Sequence, residues 1–240
     1  MSFRRFVLTV GIAIALVTGI PFAHATIGQP GTLDAFWNTC GALPGRAVTA
    51  IGTGSDVAVA AVLQPDGKIV LAGNCVNTPG TGNMFCLARY KTDGTLDASF
   101  NGTGKVTTVL TNFNSKLNAM ALQTDGKIVV AGYNCLPALY QRFCAVRYNG
   151  DGSLDLSFNG TGIATLQIQA TAANETATAV AVQSDGKIVL AGTCNSLNGL
   201  NFCALRFNTN GSLDASSRWS RPSLAVSPPT PSRCRPTAKS

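Results

Sequence analysis

An eight-residue segment that begins Asp-Gly-Lys occurs three times in the chain. Its copies span residues 66–73, 125–132 and 185–192, so their starts are 59 and 60 residues apart. A fixed period of this length is typical of one supersecondary unit that is stacked on copies of itself. The repeat therefore constrains the fold strongly, whereas it says nothing about a reaction or a ligand.

Each repeat unit is predicted to contain four short strands. In the middle copy, β-branched or apolar runs separated by Gly, Asn and Asp clusters cover residues 105–110, 117–123, 127–134 and 143–149. The second and third of these strands are joined by a tight turn. In the first copy this turn contains Pro65, which fits the first corner of a type I turn, so Gly67 is expected in the left-handed position of a G1 bulge. Gly126 and Gly186 are expected to do the same.

The third strand of each unit is apolar at consecutive positions, as residues 128–131 show. A half-solvated antiparallel sheet would alternate instead, so both faces of this strand need cover. Four-stranded antiparallel units with both faces buried are typical of the blades of a β-propeller. The fold class is therefore predicted to be all-β, an incomplete β-propeller-like arc of about three blades. A β-solenoid or a sandwich is the alternative, although solenoid coils are usually shorter, roughly 20 to 30 residues.

The run over residues 143–162, followed by 183–188, resembles the delta-60 repeat of bacterial surface and secreted proteins. The resemblance covers residues 31–215. It implies a β-propeller-like repeat protein without an assigned catalytic activity, and it transfers no site residues.

The N-terminus has the features of a secretory signal. Arg4 and Arg5 precede an apolar run over residues 6–20, and Ala23-His24-Ala25 gives a small-residue cleavage pattern. A membrane anchor is the alternative, but the run is shorter than a spanning helix needs. We therefore expect a signal peptide over residues 1–25, a repeat domain over 26–215 and no stable membrane span after cleavage. The expected location is secreted, periplasmic or at the cell surface.

Composition excludes several function classes. His24 is the only histidine and lies in the predicted signal, which excludes His-dependent triads and His-ligated zinc in the mature chain. The formal charge of +7 comes from the two ends, because residues 26–215 carry eleven basic and eleven acidic side chains. A nucleic-acid partner would need basic residues clustered on the folded part, so none is expected.

Six cysteines recur in pairs near the junction of the third and fourth predicted strands. They are Cys75 with Cys86, Cys135 with Cys144, and Cys194 with Cys203. A hairpin brings each pair together, and in an exported protein such pairs indicate disulfides. The pairing of Cys40 and Cys234 stays open.

The predicted bridges flank the loops that differ most between copies, residues 77–83, 136–142 and 195–201. Variable loops on a rigid scaffold often carry recognition, and Tyr133, Tyr140 and Arg142 are the side chains there best suited to contact a ligand. The alternative is that these surface loops drift without selection.

The carboxylates occupy repeat-equivalent positions, which favours turns, caps and ion pairs over a paired catalytic acid and base. Arg89, Arg147 and Arg206 also recur, and their expected partners are the repeated aspartates. No cofactor and no metal are expected. Asn149, Asp151, Ser153 and Asp155 place oxygens at alternate positions, as calcium loops do, but they lack the closing Glu.

Two function classes follow. The first is a secreted or surface-associated non-catalytic binding or scaffold module, whose partner is an envelope or extracellular glycan or protein. The second is a propeller-type hydrolase or lyase that uses recurrent aspartates and a metal. The first is preferred, because no unique catalytic set of residues exists.

The last residues lose the repeat pattern. Residues 216–240 contain five basic residues, five prolines and no acid, which is typical of a disordered tail. The change falls inside a strand motif, so a reading-frame shift is our hypothesis. Three blades are fewer than a closed propeller needs, so an open arc that is poorly stable or self-associates through its edges is expected.

Cleavage of the signal can be tested directly. Mass spectrometry of the exported protein should find Thr26 as the first residue, because cleavage is expected after Ala25. An intact Met1 in the membrane fraction would contradict this expectation.

Overall fold

A computed structural model describes residues 33–39, 45–76, 83–110, 115–136, 140–168, 174–196 and 199–215. The described residues form an all-β protein with eleven strands. In chain order these are β1 (Asp56–Leu63), β2 (Ile69–Val76), β3 (Asn83–Tyr90), β4 (Lys105–Thr108), β5 (Lys116–Leu122), β6 (Ile128–Tyr133), β7 (Phe143–Tyr148), β8 (Ile163–Leu166), β9 (Glu175–Val182), β10 (Ile188–Ser196) and β11 (Gly199–Phe207). The predicted signal over residues 1–25, the tail over 216–240, Cys40 and Cys234 all lie outside the described residues.

The strands form three antiparallel sheets, which we call blades 1, 2 and 3. Blade 1 has the order β1-β2-β3-β4, blade 2 the order β5-β6-β7-β8, and blade 3 contains β9, β10 and β11. Packing contacts join β1 to β5 and β5 to β9, so blade 2 lies between the other two. The predicted incomplete propeller of about three blades is confirmed.

The grouping of strands into units was wrong by one strand. The sequence unit placed residues 105–110 with the strands that follow them, but β4 pairs with β3, with Lys105 opposite Ala88 and Thr108 opposite Phe85. Strand β4 is therefore the outer strand of blade 1. A hydrophobic pattern cannot reveal this, because β4 also packs toward the next blade, where Val106 joins the core shared with blade 2.

The predicted turns between the first two strands of each blade are confirmed. Gly67, Gly126 and Gly186 have φ angles of 80°, 82° and 79°. In the first turn the amide of Gly67 donates to the carbonyl of Gln64 at 2.9 Å, which closes a type I turn. The amide of Gln64 donates to the carbonyl of Lys68 at 2.8 Å across the G1 bulge that follows. The side chains of Asp66, Asp125 and Asp185 each accept a hydrogen bond from the amide two residues later.

Each blade also has a β-bulge in its first strand, which the sequence did not reveal. The register between the first two strands skips Val59 in blade 1, Asn118 in blade 2 and Thr178 in blade 3. A glycine on the second strand lies against each bulge. A Cβ atom on Gly132 would lie 1.9 Å from the carbonyl oxygen of Lys116, so only glycine allows this approach.

Two apolar cores lie between the blades, and they share blade 2. Ile128 and Val130 face blade 1, whereas Val129 and Ala131 face blade 3, and all four are fully buried. The prediction that both faces of this strand need cover is confirmed. Among the described residues there is no helix long and apolar enough to cross a membrane.

The close approach at the bulge gives a prediction. Gly132→Ala should lower the free energy of unfolding by about 1–3 kcal/mol or more, because the added methyl group meets backbone that cannot move aside without disrupting the pairing of β5 with β6. Urea unfolding measures the change.

Gly150→Ala is the matched control. Gly150 is not among the positive-φ glycines, and its Cβ would meet only the carbonyl oxygen of Gly126, at 3.5 Å. Its stability should stay within about 1 kcal/mol of wild type, which is usual for substitutions away from special features. Equal stability of the two variants would contradict the account of the bulge.

Candidate functional site

The two ends of the blades differ in chemistry. Each first strand runs toward the Asp-Gly turn, and each third strand ends beside that turn, so we call this the turn end. The disulfide-linked hairpins between the second and third strands lie at the opposite end, which we call the loop end. The recurrent charged residues gather at the turn end and the predicted ligand contacts at the loop end.

One ion cluster repeats at the turn end of each blade. In blade 2, Asp155 lies 2.7 Å from Nε of Arg147 and 3.1 Å from Nζ of Lys127, and both Arg147 and Asp155 are buried. The same three positions meet in blade 1 as Arg89, Asp97 and Lys68, and in blade 3 as Arg206, Asp214 and Lys187. The predicted pairing of the recurrent arginines with the recurrent aspartates is confirmed.

The buried aspartates are held ionised by these partners. Burial alone would raise the pKa of Asp155, but hydrogen bonds from Ser157 and Lys127 and the charge of Arg147 outweigh it, so its pKa lies well below the usual range. At Asp97 the same balance of burial against Ser99, Lys68 and Arg89 lowers the pKa to about 2. Both carboxylates therefore carry a negative charge throughout the ordinary pH range.

The recurrent arginine also reaches the next blade. Arg147 donates through Nη1 to the carbonyl oxygen of Thr209 in blade 3, at 2.6 Å. Arg89 of blade 1 makes the equivalent hydrogen bond to the carbonyl oxygen of Gly150 in blade 2. One guanidinium thus binds a carboxylate of its own blade and the backbone of its neighbour.

An aromatic ring completes the contact between blades. The Arg147 guanidinium carbon lies 4.5 Å from the centroid of the Phe158 ring, and this ring packs over Gly211, where an added Cβ would lie 2.9 Å from it. Beside it, the amide of Asn159 donates to the carbonyl oxygen of Asn210 at 2.7 Å. Phe100 repeats the arrangement over Gly152 of blade 2.

A cleft of about 350 Å³ opens between blades 2 and 3 at this end. Its lining includes Gln123, Asp125, Lys127, Arg147 and Thr209. Arg147 and Lys127 already bind Asp155, and Arg147 also binds the backbone of Thr209. Arg147 and Gln123, which donates to the carbonyl of Gly186, therefore join the two blades across this cleft.

The four weak calcium candidates form a turn. Asp151 accepts hydrogen bonds from the amide and the hydroxyl of Ser153, at 2.9 and 2.7 Å, and Asn149 donates to the same hydroxyl. Asp155 accepts from Arg147 and Lys127 instead. The structure brings these residues together in sequence order, and the side-chain oxygens of Asp151, Ser153 and Asp155 accept from protein donors.

The three predicted cysteine pairs are confirmed at disulfide distance. The Cα atoms of Cys75 and Cys86 lie 6.0 Å apart, those of Cys135 and Cys144 5.9 Å, and those of Cys194 and Cys203 5.8 Å. The second cysteine of each pair lies opposite the glycine that approaches the bulge, as Cys144 does opposite Gly132. Disulfides of this kind form in oxidising compartments, which fits an extracellular or periplasmic environment.

The predicted ligand contacts lie at the loop end of blade 2. Tyr133 ends β6 and pairs with Phe143, Arg142 directly precedes β7, and Tyr140 is 39% exposed. The Nε atom of Arg142 is buried and finds no hydrogen-bond acceptor among the described residues. Tyr140 is thus the most accessible of the three, whereas Tyr133 and Arg142 are half-buried.

Sequence reasoning missed Gln141, which lies between Tyr140 and Arg142. Gln141 accepts a backbone hydrogen bond from Glu175 at 3.0 Å, and its side chain accepts one from Thr176, at 3.2 Å. Its amide donates to the side chain of Asn174. This loop of blade 2 is therefore fixed to blade 3. No repeat pattern could show this, because blade 3 has Leu200 at the position of Gln141.

Comparison with known families agrees with this architecture. Residues 64–100, 123–158 and 183–216 match the family described as "Domain of unknown function (DUF5122) beta-propeller". Each match begins at the turn between the first two strands, and the first two matches end in the loop after the third strand. The chain is therefore similar to a propeller-like repeat family. Among curated proteins, no sequence matches the chain.

The ion cluster gives a pH-dependent prediction. At pH 7, Asp155→Asn should lower the free energy of unfolding by about 3–5 kcal/mol, because it leaves the buried Arg147 without its anionic partner. The pKa of Asp155 is lowered by folding, so its contribution is complete above the unfolded pKa of about 3.9 and is lost as the pH falls toward the folded value. Urea unfolding at pH 7 and pH 3 should therefore show a smaller difference between wild type and variant at pH 3.

Asp151→Asn is the control for this experiment. The Asp151 side chain is exposed and bonds only within its own turn, and blade 3 has Asn210 at the same position. The backbone carbonyl of Asp151, which accepts from Asn101, is unchanged by the substitution. Its stability should remain within about 1 kcal/mol of wild type at both pH values. A pH-independent difference for Asp155→Asn would contradict the assigned ion cluster.

Proposed function

We propose that this protein is a secreted or surface-associated, non-catalytic repeat protein that binds an envelope or extracellular ligand, a glycan or a protein, through its loop end. The observation that carries the proposal is the difference in side chains between the turn end and the loop end of the blades. The recurrent charged side chains at the turn end are bound to one another and to neighbouring backbone. The side chains that break the repeat lie on disulfide-linked hairpins at the loop end.

The engagement of the carboxylates supports a non-catalytic role. Asp97, Asp155 and Asp214 each bind one arginine and one lysine, and the turn aspartates bind backbone amides. A general acid or base needs a proton that it can exchange near the working pH, and the lowered pKa values of Asp97 and Asp155 oppose this.

The loop end has the character of a recognition surface. The disulfides between Cys135 and Cys144 and between Cys194 and Cys203 fix the bases of two hairpins, so their loops lose little freedom on binding. Tyr140 and Arg142 are residue types that often dominate binding energy, since they combine a large contact area with hydrogen-bond donors. Export of the chain, as its N-terminus predicts, would bring this surface to envelope components.

Binding to an array of glycans and cell-wall fragments tests the proposal. The exported protein should bind at least one class of ligand, and the double variant Tyr140→Ala with Arg142→Ala should weaken that binding at least roughly 10-fold, because it removes the two side chains proposed as contacts.

Leu156→Ala is the matched control. Leu156 is 65% exposed and follows Asp155 at the turn end, so its truncation should leave binding unchanged. Circular dichroism should show that all variants are folded. Equal binding by wild type and the double variant would contradict the assigned surface.

A hydrolase or lyase that uses recurrent aspartates and a metal is the alternative. The variant Asp97→Asn with Asp155→Asn separates the two functions. Loss of folding supports the structural role of these residues, whereas lost turnover in a variant that remains folded would support the enzyme.

A further inference from the structure

Blade 3 exposes an apolar face whose counterparts are buried in the other blades. Phe202 on β11 is fully exposed, whereas Phe85 and Phe143, which occupy the same position in blades 1 and 2, are 0% exposed. Ala191 and Ala204 line the same open face beside Phe202. In blades 1 and 2 this face is covered by the blade that follows.

Blade 3 also lacks an outer strand among the described residues. In blade 1 the third strand pairs with β4, and in blade 2 it pairs with β8. Among the described strands, β11 pairs only with β10. Blade 3 therefore lacks two partners that both other blades have, an outer strand and a following blade.

Residues 37–49, near the start of the described chain, resemble the outer strand that blade 3 lacks and the turn that precedes such a strand. The Gly45 amide donates to the Trp37 carbonyl at 2.6 Å, as the Gly104 amide donates to the Phe100 carbonyl at 2.7 Å. Equivalent contacts to the following blade also recur. The hydroxyl of Tyr90 donates to Thr49 at 2.7 Å, and the matching pair Tyr148 and Thr108 lies 2.6 Å apart. The ring of Trp37 and the amide of Asn38 contact the turn of blade 1 around Gly94, as Phe100 and Asn101 contact the turn of blade 2.

Residues 45–51 thus lie on blade 1 as β4 lies on blade 2, but they pair with no strand among the described residues. Burial alternates along them. Ala47, Thr49 and Ile51 are half-buried against blade 1, whereas Val48 is 92% exposed. Among the described residues, this segment thus has the position of a fourth strand but no sheet to pair with, whereas blade 3 has an outer edge but no fourth strand.

We infer that two copies of this chain join head to tail, and that residues 46–49 of each copy complete blade 3 of the other. The register follows from the internal copies, in which Phe85 pairs with Thr108 and Phe143 with Leu166. It places Phe202 opposite Thr49 and Ala204 opposite Ala47 of the second copy. Phe202 is then buried against blade 1 of that copy, as Phe85 is buried against blade 2.

Closure follows from the number of blades. The described residues of one copy form three blades, fewer than the four that a closed propeller needs, and those of two copies form six, within the usual range of four to eight. Each copy offers both complementary surfaces, so the contact is made twice and pairs the outer edge of blade 3 in both copies. The folded part has no net charge, so long-range repulsion does not oppose the contact.

Arg206 supports the same arrangement. Its side chain is 23% exposed, and its Nη1 donates to Gln183 of its own blade at 3.2 Å, whereas the matching atoms of Arg89 and Arg147 bind the next blade. In the joined form, the carbonyl of Thr92 in the second copy takes the position equivalent to Gly150 and Thr209.

Both copies bring a repeated Leu-Asp-Ala segment to this junction, residues 213–215 of the first copy and residues 33–35 of the second. Asp214, already buried beside Arg206, retains the site, and the exposed residues 33–35 of the second copy lie outside it.

Light scattering coupled to size exclusion tests the arrangement on the purified exported protein. Wild type should have the mass of two copies. Phe202→Glu should have the mass of one copy, with a dissociation constant raised roughly 30-fold or more, because a carboxylate replaces the buried ring. Phe202 is fully exposed within one copy, so this variant should fold normally. Leu156→Glu, at an exposed apolar residue away from both surfaces, should remain a dimer.

A covalent test checks the register. The double variant Ala47→Cys with Ala204→Cys should give a disulfide-linked dimer on a non-reducing gel. Each single variant should give no such dimer, which controls for disulfides formed by the other cysteines of the chain.

A mass of one copy for folded wild type at all concentrations would overturn the inference, as would a dimer that Phe202→Glu leaves intact. A mass that rises continuously with concentration would show an open filament and would overturn the closed form. Protection of β11 amides from hydrogen exchange in a monomer would show that another part of the same chain covers this face, which also contradicts the inference.

Discussion

The contact on which the structure depends is the one that a single arginine makes to two blades at once. Arg147 neutralises the buried Asp155 of its own blade, stacks on Phe158 and binds the backbone carbonyl of Thr209 in the next blade. Its guanidinium suits this task, because it offers several donors in one plane and remains charged when buried. If either Arg147 or Asp155 were removed, the other would be left as a buried charge without its partner, which lowers the stability of the folded state.

This joint explains why the blades depend on one another. A single three- or four-stranded sheet buries too little apolar surface to be stable alone, so each blade needs a neighbour against its faces. Phe158 over Gly211 and Phe100 over Gly152 set the spacing between neighbours, since any side chain on either glycine would displace the ring. The same contact, which is made twice within the chain, would also suit assembly between chains, because Trp37 and Arg206 place its two halves at the two ends of the described blades.

Much of the fold could be predicted from the sequence because its signals are local. The left-handed glycine at position 67 follows from a proline that fixes a type I turn, and the disulfides follow from cysteines that one hairpin brings together. The pairing of Arg147 with Asp155 could be predicted because both recur with the repeat. The assignment of β4 to the preceding blade could not, because its residues fit either neighbour and only hydrogen bonding decides between them.

The candidate site was less predictable for a related physical reason. A bulge at Asn118 leaves no mark in the alternation of side chains, and a hydrogen bond from Arg147 to a backbone carbonyl needs no particular residue at position 209. Gln141, which fixes the loop of blade 2 to blade 3, lies in a segment without repeat partners. Tyr133, Tyr140 and Arg142 were chosen by residue type, and the structure adds that Tyr140 is the exposed one.

The central claim is that the joint between blades holds each blade on its neighbour. Hydrogen exchange of Phe158→Ala, followed separately in β2 and β10, tests it most directly. The account predicts that amides in β10 lose most of their protection while those in β2 retain theirs, because the variant removes the ring that holds blade 3 on blade 2. Equal protection of β10 in the variant and in wild type would contradict the account.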